Sequence, residues 1–213
     1  MRVNDEIVPY LRKVKAEMEA LNKLRIKVGI QGDADSELLM IANVHEYGAT
    51  ITAKNARNLC IPIHKDSYDK SPRDFQDLFF IRSKDGYLFG VTAKKGRKNT
   101  ENANNLNFLF LLLPSVTIPE RSFIRAGFDH NKEALAQLVQ EAVADIYQGK
   151  TTARQAAEWI GGQAVGLIQQ FMSEAGNFTP KGSIQRERAP SYADSPLMVT
   201  GRLRNSITWK VEE

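Results

Sequence analysis

The chain has 213 residues, a formal net charge of +4, 42% hydrophobic and 25% charged residues and a single cysteine. That is enough length to bury a core without disulfides or metals, and Cys60 has no partner for an intrachain bridge. The longest apolar run, Phe108 to Leu113, falls far short of the ~20 residues that span a bilayer, and the acidic start Met1-Arg2-Val3-Asn4-Asp5-Glu6 is unlike a signal peptide, so neither a membrane span nor a leader is expected.

Ile7, Leu11, Val14, Met18 and Leu21 recur at helical spacing and predict an amphipathic helix with its regular part starting near Pro9. Arg25-Ile26-Lys27-Val28-Gly29-Ile30 alternates with period two, as a half-buried strand does. After the break at Gly32-Asp33, a short helix is expected from Asp35 or Ser36 to Tyr47, with Gly48 as its stop. Residues 52–117 change character. Leu59 to Ile63, Leu78 to Ile81, Tyr87 to Val91 and Phe108 to Leu113 are β-prone runs, with Lys84-Asp85-Gly86 as a hairpin signal. From Lys54 to Lys98 there are eleven Lys/Arg against five Asp/Glu, a local surplus of six. Its densest part, Lys94-Lys95-Gly96-Arg97-Lys98, reads as a mobile basic loop tip.

Two helices follow. Leu135, Leu138, Val139, Ala142 and Ile146 form one apolar face, closed by Gly149. Thr152-Ala153-Arg154-Gln155 is a capping box that opens the next helix, with Ile160, Ala164, Leu167, Ile168 and Phe171 facing inward. Gly161 and Gly162 lower its intrinsic propensity, and with the small Ala157 they suit close approach of another backbone, expected here to be the first helix. Residues 177–196 carry three prolines and no period, and read as an extended loop whose few apolar side chains cannot hold it within one subunit and whose Lys181, Arg186 and Arg188 suit an acidic partner surface or DNA phosphates. Thr200 can cap a last helical turn before a strand through Ile207, Trp209 and Val211. The expected fold is α+β (α/β): a small, mainly antiparallel sheet on long helices, in one domain of 1–213 with a β-rich insertion at about 52–117.

Catalytic and metal motifs do not emerge. His45-Glu46 starts like a zinc-protease signature, but Gly48 interrupts the helix and no second histidine follows four residues on. His64, His130 and Cys60 are too scattered for a metal site, and Lys95-Gly96-Arg97 lacks the earlier glycine of a phosphate loop. Ser122, Ser191 and Ser195 lack the glycine-flanked elbow of hydrolases. No enzyme activity and no cofactor are expected.

Three segments carry a more specific pattern: Ala42-Asn43-Val44-His45-Glu46-Tyr47-Gly48, Ile118-Pro119-Glu120-Arg121-Ser122-Phe123-Ile124, and Ser195-Pro196-Leu197-Met198-Val199-Thr200-Gly201-Arg202-Leu203-Arg204-Asn205-Ser206-Ile207. In this order they resemble the signatures of the phage virion morphogenesis proteins, the neck and tail-completion proteins of tailed bacteriophages, including Mu-like ones. The likeness runs from Arg25 to Val211. Family members commonly have proline after the arginine, where this chain has Ser122. The resemblance implies that His45, Glu46, Gly48, Pro119, Arg121, Phe123, Pro196, Leu197, Thr200, Gly201, Leu203 and Ser206 maintain the fold or an interface. It also implies a structural virion protein that joins or completes the tail at the head–tail interface. Such a protein would assemble with itself as a ring, a hexamer among the candidate orders, against tail terminator, head–tail connector or sheath and tube proteins. It would sit at the neck of the virion, pass through the host cytoplasm during assembly and touch no membrane. Lys94, Lys95, Arg97, Lys98, Arg186 and Arg188 are the candidate contacts to a partner or to DNA in the channel. The alternative is a nucleic-acid-binding accessory protein that uses the basic insertion.

Overall fold

The fold is α+β, and all strand pairings are antiparallel among residues 7–31, 35–96 and 102–213, which the computed structural model describes. In chain order the elements are α1 (Ile7–Leu21), β1 (Arg25–Gly29), α2 (Ser36–Tyr47), β2 (Ala49–Thr52), β3 (Leu59–Pro62), β4 (Phe79–Arg82), β5 (Leu88–Ala93) and β6 (Leu106–Leu113). Then come β7 (Ser115–Ile118), α3 (Arg125–His130), α4 (Lys132–Tyr147), α5 (Ala153–Ser173), α6 (Ser183–Arg188), α7 (Arg202–Asn205) and β8 (Thr208–Glu212). None of the described helices is long and apolar enough to cross a membrane. The chain divides into two compact units: Met1–Gly48 with Pro119–Lys181 and Ser191–Glu213, and Ala49–Ile118 with Gly182–Pro190.

The first unit is organised on α5. The Thr152 hydroxyl accepts the Gln155 amide at 3.3 Å while the Gln155 side chain accepts the Thr152 amide at 3.2 Å, so the capping box forms as its spacing suggests. Further along α5, Val165, Ile168, Phe171 and Met172 pack with Phe123, Leu197, Leu203 and Ile207. Its first half packs Ala156 and Ile160 against Ala142 and Ile146 of α4, with Met18, Leu21 and Ile26 closing the cluster. Strands β1 and β8 pair as a two-stranded ribbon, Ile26 opposite Val211 and Val28 opposite Trp209. Gly161 exists for this ribbon: a Cβ there would lie 2.3 Å from Trp209 Cδ1. At Gly161 the close neighbour is therefore the Trp209 side chain and not the backbone of α1, which corrects the sequence expectation at that position; α1 meets α5 at its start, where Glu17 accepts the Ala153 amide at 2.7 Å. Glycine was a sound sign of close approach, but it does not name the approaching group.

Coverage of the other two helices is uneven. Of the α1 seam, Val14 is buried and Met18 and Leu21 are half-buried, but Ile7 and Leu11 stay exposed. On α4, Ala142 and Ile146 are buried while Val139 is exposed.

In the second unit the order β3-β6-β5-β4 makes a four-stranded sheet, and β2 pairs with β7. Its core is Val91, Leu106, Leu109 and Phe110. A bulge between Gly90 and Val91 lets β5 pass close to Phe110, where a Cβ on Gly90 would meet that ring's own Cβ at 3.3 Å. The hairpin between β4 and β5 turns at Gly86, with φ of 87°. Helix α6 lies in this unit, so residues 177–196 are not the extended loop that their composition suggests.

Candidate functional site

The first unit brings the three motif segments together through buried polar groups. Gly48 ends α2 with φ of 70° and ψ of 167°, a conformation open to glycine and strained for other residues. That exit leaves Glu46 on the last turn of α2, 5% exposed. Its carboxylate faces residues 122–125, where α3 begins. Oε2 accepts the amides of Phe123 at 2.8 Å and Ile124 at 3.0 Å. Oε1 accepts the Ser122 hydroxyl at 2.7 Å, the Arg125 amide at 3.1 Å and Arg125 Nε at 3.0 Å. A helix start leaves unpaired N–H groups, and here a carboxylate more than seventy residues away in sequence satisfies them. Burial alone would raise the Glu46 pKa. The Ile124, Ser122, Arg125 and Phe123 donors outweigh it and hold the carboxyl below its usual value of 4.5.

Ser122 completes this cap. Its hydroxyl donates to Glu46 and also accepts the Ala126 amide at 3.2 Å, closing the first turn of α3. Arg125 wraps the outside. Nη2 donates to the Glu46 carbonyl at 2.7 Å and to Glu120 at 2.8 Å, and the guanidinium lies 4.6 Å from the centre of the Tyr47 ring.

Arg121 extends the joint. It is 5% exposed, and its amide donates to the His45 carbonyl at 2.7 Å. Its guanidinium fork reaches the carbonyls of Thr179 at 2.8 Å and Pro180 at 3.1 Å. Lys181, the next residue, is 3% exposed, and its ammonium donates to the carbonyls of Tyr192, at 2.8 Å, and Met198. Burial and the nearby Arg121 charge both pull the Lys181 pKa down. Met198 belongs to the third motif, so the second motif is tied to the third through residues 179–181. Phe178, buried, also meets the Phe171 ring edge-on at 5.3 Å. The expectation that residues 177–196 have too little to hold them within one subunit therefore fails at their ends. Lys181, expected to face a partner, is a buried tie.

The remaining motif residues take supporting places. Phe123 is fully buried, as are Pro196, Leu197, Gly201 and Leu203 for practical purposes; Pro119 is exposed. Gly201 adopts φ of 77°, the Thr200 hydroxyl accepts the Arg202 amide at 3.3 Å, and the Ser206 hydroxyl donates to the Leu203 carbonyl at 2.7 Å. His45 has a buried Nδ1 without a hydrogen-bond partner among the described residues. Burial first, and the Arg121 charge second, push its pKa below the usual 6.5. Among the described residues no group of three His, Cys, Asp or Glu side chains is placed to hold a metal ion.

The described basic candidates, Lys94, Lys95, Arg186 and Arg188, belong to the second unit. Lys94 donates to the Asn104 carbonyl at 2.8 Å, and Lys95 is exposed. Arg97 and Lys98 lie outside the described residues. Arg186 is exposed on α6, whereas Arg188 pairs with Asp69 at 3.2 Å and stacks 4.6 Å from the Tyr68 ring centre. Arg188 is thus engaged within its own unit.

Sequence reasoning placed Glu46 and Arg121 but missed Ser122, Arg125 and Lys181 as their partners. Arg125 repeats Arg121 at a spacing of four, the one sequence sign that it shares their neighbourhood. Comparison of the chain with protein-family models, with curated proteins and with solved structures finds no match.

Proposed function

We propose that the chain is a structural assembly protein, acting through its surfaces and not through turnover. Within that class, we assign it to the neck or tail-completion proteins of tailed phages, joining or completing the tail at the head–tail interface as a ring of subunits. The observation that carries this reading is the use the fold makes of the three motifs. Glu46 of the first caps the second, Arg121 of the second holds residues 179–180, and Lys181 holds the third. Residues that share a signature because they share a joint are what the resemblance implies. In this reading the partners are further copies of the chain and the tail terminator, connector or sheath and tube proteins, and the location is the virion. Deleting the coding sequence from the phage should leave filled heads and tails that fail to join. Normal infectious particles from the deletion would refute it.

The second reading, a nucleic-acid-binding accessory protein, draws on the second unit, where Lys54, Arg57, Lys65, Arg73, Lys84 and Lys95 are all exposed. It requires binding of the isolated chain to duplex DNA that weakens steeply with salt. Absence of such binding at low salt removes it.

A further inference from the structure

The chain leaves the first unit after Lys181 and returns to it at Ser191, and residues 182–190 between these points belong to the second unit. The base of this excursion is pinned. The buried Lys181 ammonium donates to the carbonyls of Tyr192 and Met198, so it ties the residue before the excursion to one just after it. The fork of Arg121 on Thr179 and Pro180 secures the entry side again.

Beyond the pins little apolar surface is covered. No residue of α6 is buried; Ile184 is half-buried, and Ala189, just past the helix, is buried. A helix of six residues does not persist without a surface to lie on. The bonds from the Arg186 amide to the Gly182 carbonyl and from the Ala189 amide to the Gln185 carbonyl therefore report that the segment is seated. Arg188 grips the seat through Asp69, at 3.2 Å, and through the Tyr68 ring, 4.6 Å from its centre. The side chains of that ion pair are 41% and 89% exposed, so it contributes little and weakens with salt.

The seat itself carries two unfavourable features. Asp69 is the one non-glycine residue with positive φ, 61°, among the described residues. The Tyr68 hydroxyl is buried without a hydrogen-bond partner among the described residues, which a native fold rarely tolerates without a reason. We propose that residues 182–190 are a clasp that opens from the second unit and closes on it while each unit stays folded, with Arg188 on Tyr68 and Asp69 as its latch. Lifting Arg188 off the ring opens Tyr68 to water and gives its hydroxyl a partner, so the closed state holds by a narrow margin. Gly182 is the hinge: nothing lies within 4 Å of where its Cβ would be, and turning there leaves the Lys181 and Arg121 ties in place.

Hydrogen exchange of the full chain, read by mass spectrometry on peptides covering 183–190, tests the clasp. The amides of β5, β6 and α5 in the same digest report whether each unit is folded. In the wild type the clasp amides should exchange at least about a hundredfold faster than those of β5 and β6, yet measurably slower than an unfolded peptide of the same sequence. Asp69→Asn keeps a residue suited to positive φ but removes the charge; it should speed their exchange about threefold, and the wild type should match it in roughly 0.5 M sodium chloride. Arg188→Gln loses the stacking as well and should speed exchange about tenfold. Tyr68→Phe removes the unpaired hydroxyl, holds the clasp shut longer and should slow exchange about tenfold. In all three variants β5, β6 and α5 should exchange as in the wild type. The salt response needs no substitution, so the latch stays testable if a variant fails to fold. Clasp amides that exchange only in step with β5 and β6, or with no protection at all, would overturn the clasp. Exchange indifferent to salt and to all three variants would overturn the latch.

Discussion

Removing the Glu46 carboxylate should unlatch α2 from α3. In Glu46→Ala the Phe123 amide loses its acceptor in a buried place, and the Ile124 and Arg125 amides and the Ser122 hydroxyl lose theirs in half-buried ones. An unpaired buried donor costs about 1–3 kcal/mol, and the half-buried ones recover part of that from water. The sum comes to about 3–4 kcal/mol, equivalent to a fall in Tm of roughly 10 °C for a chain of this length. Glu46→Gln keeps one acceptor oxygen but turns an amide nitrogen toward donors, and should cost about half as much. Both tryptophans, Trp159 and Trp209, lie in the first unit, so urea unfolding followed by their fluorescence reports on the unit that holds the cap. A Glu46→Ala midpoint within 1 kcal/mol of wild type, at unchanged slope, would refute the view that this carboxylate holds the joint.

Gly161→Ala should destabilise by about 1–3 kcal/mol, because the new methyl would sit 2.3 Å from the Trp209 ring, and a second change, Trp209→Val, should recover part of the loss in the same urea assay. Arg121→Lys keeps the charge but loses the fork to Thr179 and Pro180; it should cost about 1–3 kcal/mol and make residues 177–196 the first site of cleavage in limited proteolysis. Stability should be level above about pH 6.5 and decline as pH falls below it, since the unfolded chain then protonates His45 more readily than the folded one does; a second decline should begin below about 4.5, where the unfolded chain likewise protonates Glu46 more readily than the folded one. Midpoints measured from pH 8 to pH 4 check this, and His45→Gln should lose the upper decline alone.

Periodicity made the long helices legible, because a helix repeats its apolar face over several turns. It gave the direction of each face and not how far a neighbour covers it. Ile7 and Leu11 satisfy the α1 pattern as well as Val14 does, yet the first two are exposed and the third is buried. Helices α3 and α6, six residues each, are too short to establish a period, and both went unseen. The motif comparison found Glu46 and Arg121 as positions. Their partners lie 76 to 79 and 58 to 59 residues away, pairings that no local rule contains. Lys181 misled for a related reason: in a polar, proline-rich stretch a lysine reads as solvent-facing, and only the convergence of two carbonyls on its ammonium makes burial tolerable.

The central claim is that this chain is a structural component of the neck of a tailed phage. An image reconstruction of purified virions, with the chain quantified by mass spectrometry of the same particles, tests it most directly. The account predicts several copies per particle, arranged as a ring around the channel at the head-proximal end of the tail. Absence of the chain from mature particles, or a single copy away from the head–tail junction, would contradict it.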